Sequence, residues 1–170
     1  WMAKTNGFLD LRAADTSGKT LDGLDIKDAD YFTQAMQGRL FVSTARSAGQ
    51  NSDAAATLAT PVSNGNFVGV VACSLSVEAV NKLVEEISIG KTGYGFLVDS
   101  TGAVLADKNV VNARNRVNYI EKAKGDPSYS GIAGVVGQMA AGKTGGRQIS
   151  FGGKRVYVSY QPISNANGWS

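Results

Sequence analysis

Histidine is absent and cysteine occurs once, at Cys73. Without histidine, neither a Ser-His-Asp triad nor an imidazole general base can form. One cysteine excludes an intramolecular disulfide and the usual Cys/His zinc sites. Cys73 lies in the apolar run VGVVACSL and reads as a small buried hydrophobe. No run reaches the roughly 18–20 apolar residues of a membrane span, and no signal-peptide pattern is present. The first residue is Trp1, so the chain reads as a fragment of a longer protein, and these absences do not describe the parent. Prolines number 3 against 21 glycines, which predicts short elements joined by tight turns. The net charge is only +3 and the basic residues are scattered. A nucleic-acid binder would carry a basic stripe, so that class is set aside. The hydrophobic share of 43% is enough for a packed core.

What is present includes two internal echoes. Asp15-Thr16-Ser17-Gly18 follows FLDL, and Asp99-Ser100-Thr101-Gly102 follows YGFLV. Asp-x-x-Gly between apolar runs predicts a hairpin turn with Gly at positive φ. Pro61-Val62-Ser63-Asn64 is likewise echoed by Pro162-Ile163-Ser164-Asn165. The shared order implies two similar modules, residues 1–89 and 90–170, the second cut within its last hairpin.

Helices are few. Asp28 or Asp30 caps a short helix over YFTQAMQ, with Gly38 as the stop. Ser76 caps VEAVNKLVEEI, whose Val77, Val80, Val84 and Ile87 recur at helical spacing before Gly90. NYIEKAK and IAGVVGQMAA are weaker helical segments. RQISF-GG-KRVYVSYQPI predicts a hairpin with period-2 alternation. Local hairpins favour antiparallel pairing, so the fold class is α+β, with two small antiparallel sheets flanked by short helices.

Gly137–Thr144 (GQMAAGKT) fits the phosphate-binding P-loop pattern, which requires a preceding strand and a helix opened by Lys and Thr. Gly145-Gly146 and β-branched residues follow instead, with no Asp or Glu beyond Asp126. A helix after Thr144 would favour a nucleotide hydrolase; a strand would sink it. Gly90-Lys91-Thr92-Gly93 repeats the motif, as expected of a linker used twice. The acidic run Asp22, Asp25, Asp28, Asp30 lacks the glycine and late glutamate of a calcium loop and reads as turn and cap residues. No metal or cofactor is implied. Tyr31-Phe32 and Phe41-Val42-Ser43-Thr44-Ala45-Arg46 combine aromatic walls, hydroxyls and a cation, as small-ligand pockets do. The same residues also read as core aromatics with a surface arginine.

DIKDADYFTQAMQGRLFVS, ATPVSNGNFVGVVACSLSVEAVNKLVEEI and IGKTGYGFLVDSTGAVLADKN together resemble the double Cache sensor domains of bacterial chemotaxis receptors, sensor histidine kinases and diguanylate cyclases. The resemblance covers nearly the whole chain. It implies an extracytoplasmic, non-enzymatic input domain made of two tandem PAS-like modules. The distal module, residues 1–89, would bind a small molecule, and 90–170 would lie nearer the membrane. A long N-terminal helix is expected before Trp1, along with a homodimer in the full receptor. A periplasmic binding protein as partner, or a purely structural and dimerising role, is the alternative. The family's amino-acid binders use an arginine followed by an aromatic pair, and an aspartate on a later strand. Those positions fall here on Ala29, on Tyr31 and Phe32, and on Ser74. With both charges missing, an ordinary α-amino acid is not expected, since a buried zwitterion would lie unpaired. The resemblance and composition together point to Tyr31, Phe32, Phe41, Ser43, Arg46 and Ser74 as ligand contacts for a neutral or singly anionic molecule.

Overall fold

A computed structural model describes residues 7–44, 54–64, 67–164, 166 and 168–170. The chain divides into two compact units, Trp1–Val80 and Asn81–Ser170. The sequence places the division at residue 89, at the end of a helix; the compact units divide inside that helix instead.

In the first unit, β1 (Phe8–Asp15), β2 (Phe41–Thr44), β3 (Ala54–Asn64) and β4 (Phe67–Ser76) form an antiparallel sheet in the order β1-β4-β3-β2. β4 is one of the two central strands, and pairing on both sides suits its apolar composition. Pro61 pairs with Val70 two residues beyond Ala59, where pairing with β2 ends. With only one neighbouring strand there, a residue without an N–H is tolerated. One helix, α1 (Asp30–Met36), packs across β2, β3 and β4. Its Phe32 and Ala35, three apart and so on one side, join Ala14, Phe41, Ala59, Val70 and Ala72 in the core. Only three of these seven side chains are larger than alanine, and each contributes about 1.5–3 kcal/mol on burial. The helix starts at Asp30, one residue earlier than expected: Ala29 holds the N-cap position and makes no side-chain cap bond.

Ser76 opens α2 (Val77–Glu85) as expected, its hydroxyl accepting from the Ala79 N–H at 3.0 Å. Val77, Val80 and Val84 are buried, but Ile87 lies beyond the helix and is 48% exposed. Gly90 does not stop this helix; it lies in the link between β5 (Ser88–Ile89) and β6 (Gly93–Tyr94).

The second unit adds β7 (Leu97–Val98) paired with β8 (Val104–Ala106), and β9 (Gly145–Phe151) paired with β10 (Lys154–Tyr160). Gly152 and Gly153 both hold positive φ, as a two-residue type I′ hairpin requires. Three helices intervene: α3 (Val110–Arg114), α4 (Tyr119–Gly125) and α5 (Ser130–Ala140). Asn109 and Asn118 cap the first two by accepting backbone N–H bonds. On α5, Ile132, Val135, Val136 and Met139 form the buried stripe. Trp169 is buried, and its Nε1 has no hydrogen-bond partner among the described residues. Ser170 exchanges two backbone hydrogen bonds with Val98.

The first echo is a repeated turn. Asp15 accepts from the Ser17 N–H at 2.9 Å, the Ser17 hydroxyl at 2.6 Å and the Lys19 N–H at 3.1 Å. Asp99 accepts from the Thr101 N–H at 2.8 Å, the Thr101 hydroxyl at 2.6 Å and the Ala103 N–H at 3.1 Å. Gly18 and Gly102 take φ of 83° and 80° at matching positions. The surroundings differ: Asp15 is exposed, while Asp99 is 2% exposed and paired with Arg116. The second echo is looser. Pro61 lies inside a strand, whereas Pro162 precedes a turn closed by the Ile163 N–H on the Trp169 carbonyl at 2.8 Å.

The P-loop pattern lacks its required geometry. Gly137–Ala140 ends α5, and β9 begins at Gly145, so Lys143 and Thr144 lead into a strand rather than opening a helix. No helix among the described residues is long and apolar enough to cross a membrane.

Candidate ligand-binding site

Strand register determines which side chains meet in the first unit. Arg12, Ala72, Ala59 and Phe41 stand opposite one another across β1, β4, β3 and β2. One step along each strand face, Asp10, Ser74, Thr57 and Ser43 do the same. Ala14, Ala72, Ala59 and Phe41 all belong to the core under α1. Side chains alternate along a strand, so Asp10, Arg12, Ser74 and Thr57 share that face. The face therefore passes from an apolar row to a polar one.

Asp10 bridges two strands. The register of β1 shifts between Phe8 and Asp10, and there the Ser74 N–H donates to Asp10 Oδ1 at 2.9 Å. Asp10 Oδ2 accepts from Arg12 Nη1 at 2.7 Å. On its other side Arg12 Nε lies 3.8 Å from Asp22 Oδ2. Arg12 and Asp10 are both about one-third exposed, so the pair is reachable from solvent. Tyr31 leans on the core cluster with its ring centroid 6.5 Å from that of Phe41. Burial pushes its phenol up from the ordinary value; the Arg12 charge opposes this and the Asp10 charge adds to it.

The residues named from sequence divide into three groups. Tyr31 and Phe32 of α1 come together with Phe41 of β2; Phe32 and Phe41 are mainly core, being 5% and 8% exposed. Ser74 lies in the polar row, and Ser74 and Ser43 are the two register partners of Thr57. Arg46 lies outside the described residues. Sequence reasoning missed Asp10, Arg12 and Thr57. Cys73 alternates to the opposite sheet face and is half-buried rather than buried; its thiol is pushed up chiefly by burial and then by Asp10.

The Cache domain family matches this chain over residues 2–170. Methyl-accepting chemotaxis protein McpA of Pseudomonas putida is 28% identical over 90 residues, which is 51% of this chain and 14% of that protein's length. The sensory domain of the Campylobacter jejuni chemoreceptor Tlp3 with isoleucine bound superposes with a TM-score of 0.62 at 15% identity, covering 98% of this chain and 65% of that one. The ligand-binding domain of the Pseudomonas fluorescens chemoreceptor CtaA in complex with L-leucine gives 0.58 at 18% identity, over 99% of this chain and 71% of that one.

These structures overturn the exclusion of ordinary α-amino acids, because domains of this fold are occupied by isoleucine and L-leucine. The exclusion rested on Ala29 and Ser74 carrying no charge. Its physical premise fails because a carboxylate and a guanidinium reach the same sheet face from β1, with Asp10 hydrogen-bonded to Ser74 itself. Antiparallel sheets with short helices, the Asp-turn repeat and the match across residues 2–170 agree: the chain belongs to the Cache domain family.

Proposed function

We propose that this chain is the extracytoplasmic sensing domain of a membrane-anchored chemotaxis receptor, and that its first unit binds a small ligand of the amino-acid class. The observation that carries the reading is the polar row of Asp10, Ser74 and Thr57 adjoining the apolar core beneath α1. Polar groups placed at the edge of an apolar wall orient a small molecule. The resemblance to chemoreceptor domains that hold isoleucine and L-leucine supports the ligand class, and the McpA likeness supports the chemotaxis output. In this reading the first unit is membrane-distal, the second is membrane-proximal, and the domain works as a homodimer in the full receptor. Signalling follows from population shift: a ligand that binds one conformation of the first unit better than another biases the two by its differential affinity. The thin alanine-rich core makes the first unit responsive, since a bound ligand adds contacts to a core with few large side chains.

Thermal shift with the proteinogenic L-amino acids tests the reading. Ligand at about a hundred times its dissociation constant stabilises by roughly 2.7 kcal/mol. A shift with one or a few amino acids is the expected result. No shift with any of them, with sugars or nucleotides shifting instead, overturns the ligand class.

A further inference from the structure

We infer that the β9–β10 hairpin is a docking surface for anionic lipid headgroups, met at the membrane that anchors the receptor. The inference rests on the membrane anchoring in the reading above and is independent of the ligand. Basic residues are scattered along the chain, but acids are not: none lies beyond Asp126. Residues 1–80 hold six Lys and Arg against eight Asp and Glu, and residues 81–170 hold eleven against six. Within the second unit, residues 127–170 carry Lys143, Arg147, Lys154 and Arg155 and no acid at all. All four side chains are exposed, and none is in a salt bridge among the described residues.

The four sit on one hairpin or directly before it, along strands that span roughly 23 Å. The face bearing buried Ile149 packs on α5. Alternation puts Arg155, Tyr157 and Ser159 on the other face, with Ser150, Gln148 and Gly146 opposite them. Tyr157 is 72% exposed there. Gly146 makes room for its ring, since a Cβ at that position would lie 2.5 Å from the Tyr157 hydroxyl. An open tyrosine among cations is the composition of a membrane interface, where the ring enters the headgroup layer and the hydroxyl stays wet. At the other strand, Phe151 meets Tyr119 of α4 edge-on at 5.5 Å. The cations of α4, Lys122 and Lys124, are balanced by Glu121 and by Asp126 just after it, so that helix leaves the hairpin's charge standing. Each Lys or Arg near an anionic surface is worth about fivefold in partitioning, so four give roughly 600-fold and half-binding near about 1 mM lipid. That is weak for a free domain and sufficient for a tethered one, whose effective concentration is also about millimolar.

Co-sedimentation of the whole chain with phosphatidylcholine vesicles containing about 30% phosphatidylglycerol tests this. The chain should bind these vesicles, ignore pure phosphatidylcholine, and come off as salt rises from about 0.05 M to about 0.5 M. Lys154→Gln with Arg155→Gln should lower partitioning about 25-fold. Lys19→Gln with Lys27→Gln makes the same charge change in the first unit and should leave partitioning unchanged. Tyr157→Ser should lower it severalfold, which a role for charge alone would not produce. No binding to the anionic vesicles overturns the proposal, as does no loss from the hairpin pair or an equal loss from both pairs. A DNA duplex that holds the chain as tightly as the vesicles, with Tyr157→Ser without effect on vesicle binding, overturns it too, because the surface then answers to any polyanion. None of these results touches the amino-acid reading, which thermal shift tests separately.

Discussion

Asp99→Ala and Asp15→Ala apply one perturbation to the same turn in two environments. Both carboxylates accept three hydrogen bonds with distances that agree within 0.1 Å. Asp99 is buried and paired with Arg116, a residue held at a φ of 45°; Asp15 is exposed. Removing Asp99 strips the acceptor from two backbone N–H groups, at about 1 kcal/mol each. Loss of a buried partner costs roughly 3–5 kcal/mol, but the Arg116 side chain is 37% exposed and returns to water, so about 1 kcal/mol is retained for the pair. The sum is about 3 kcal/mol, or roughly 12–24 °C in the melting temperature of a unit of this size. Asp15→Ala should shift the transition far less, because water replaces the carboxylate. Burial opposes ionisation of Asp99, yet the Thr101 hydroxyl, the Thr101 and Ala103 N–H groups and Arg116 outweigh it and hold the carboxyl below its ordinary 3.8. A depressed carboxyl contributes stability above its unfolded value, and that contribution fades as pH falls through the folded one. The difference between wild type and Asp99→Ala should therefore shrink as pH drops below about 3.8. Thermal melts followed by circular dichroism measure all of this. Equal shifts for the two variants, or a shift under about 4 °C for Asp99→Ala, would refute the argument from burial.

Tyr119 is buried, and burial followed by the Asp107 charge pushes its phenol up to about 12. A raised phenol leaves stability intact below pH 10 and removes about 2 kcal/mol as pH climbs from 10 towards 12. Absorbance titration should show this phenol ionising after the exposed tyrosines, and Tyr119→Phe should lessen the alkaline loss of stability. Gly102→Ala should cost about 2–4 kcal/mol, because φ is 80° and the added Cβ would lie 2.8 Å from Ile120 Cδ1 and 2.9 Å from Val136 Cγ1. Gly23→Ala, also at positive φ but in open space, should cost less in the same urea titration.

Much of the fold is legible in the residues because its signals are local. The Asp-x-x-Gly repeat, the Ser76 cap and the Gly152-Gly153 hairpin each depend on neighbours a few positions away. The division between modules was less legible, since α2 runs on through the point where the compact units part. Of the candidate site, the sequence offered the aromatics Tyr31, Phe32 and Phe41, and two of the three serve mainly as core. Asp10 and Arg12 were not visible, for a specific reason. In FLDLRAAD the polar residues alternate with Leu9 and Leu11, which reads as a strand with its charges towards water. The sheet places Leu11 outward, 53% exposed, and turns the parity of Asp10 and Arg12 to the side of buried Ala14. Only a partner strand 64 residues away decides between the two faces. The one local clue is Ala14, which shares their parity and is too small for a solvent-facing role to be assumed.

Trp169 gives the second unit an optical reporter. Its indole is 7% exposed and its Nε1 meets no acceptor among the described residues. A chromophore in such surroundings emits at short wavelength, because little dipolar relaxation follows excitation. Its neighbours in the chain tie that environment to the fold: Ser170 is hydrogen-bonded to β7, and its hydroxyl donates to the Met139 carbonyl at the end of α5. Loosening of either contact admits water to the ring, so a red shift in the Trp169 emission, read with Trp1 replaced by phenylalanine, registers the opening of the second unit's core.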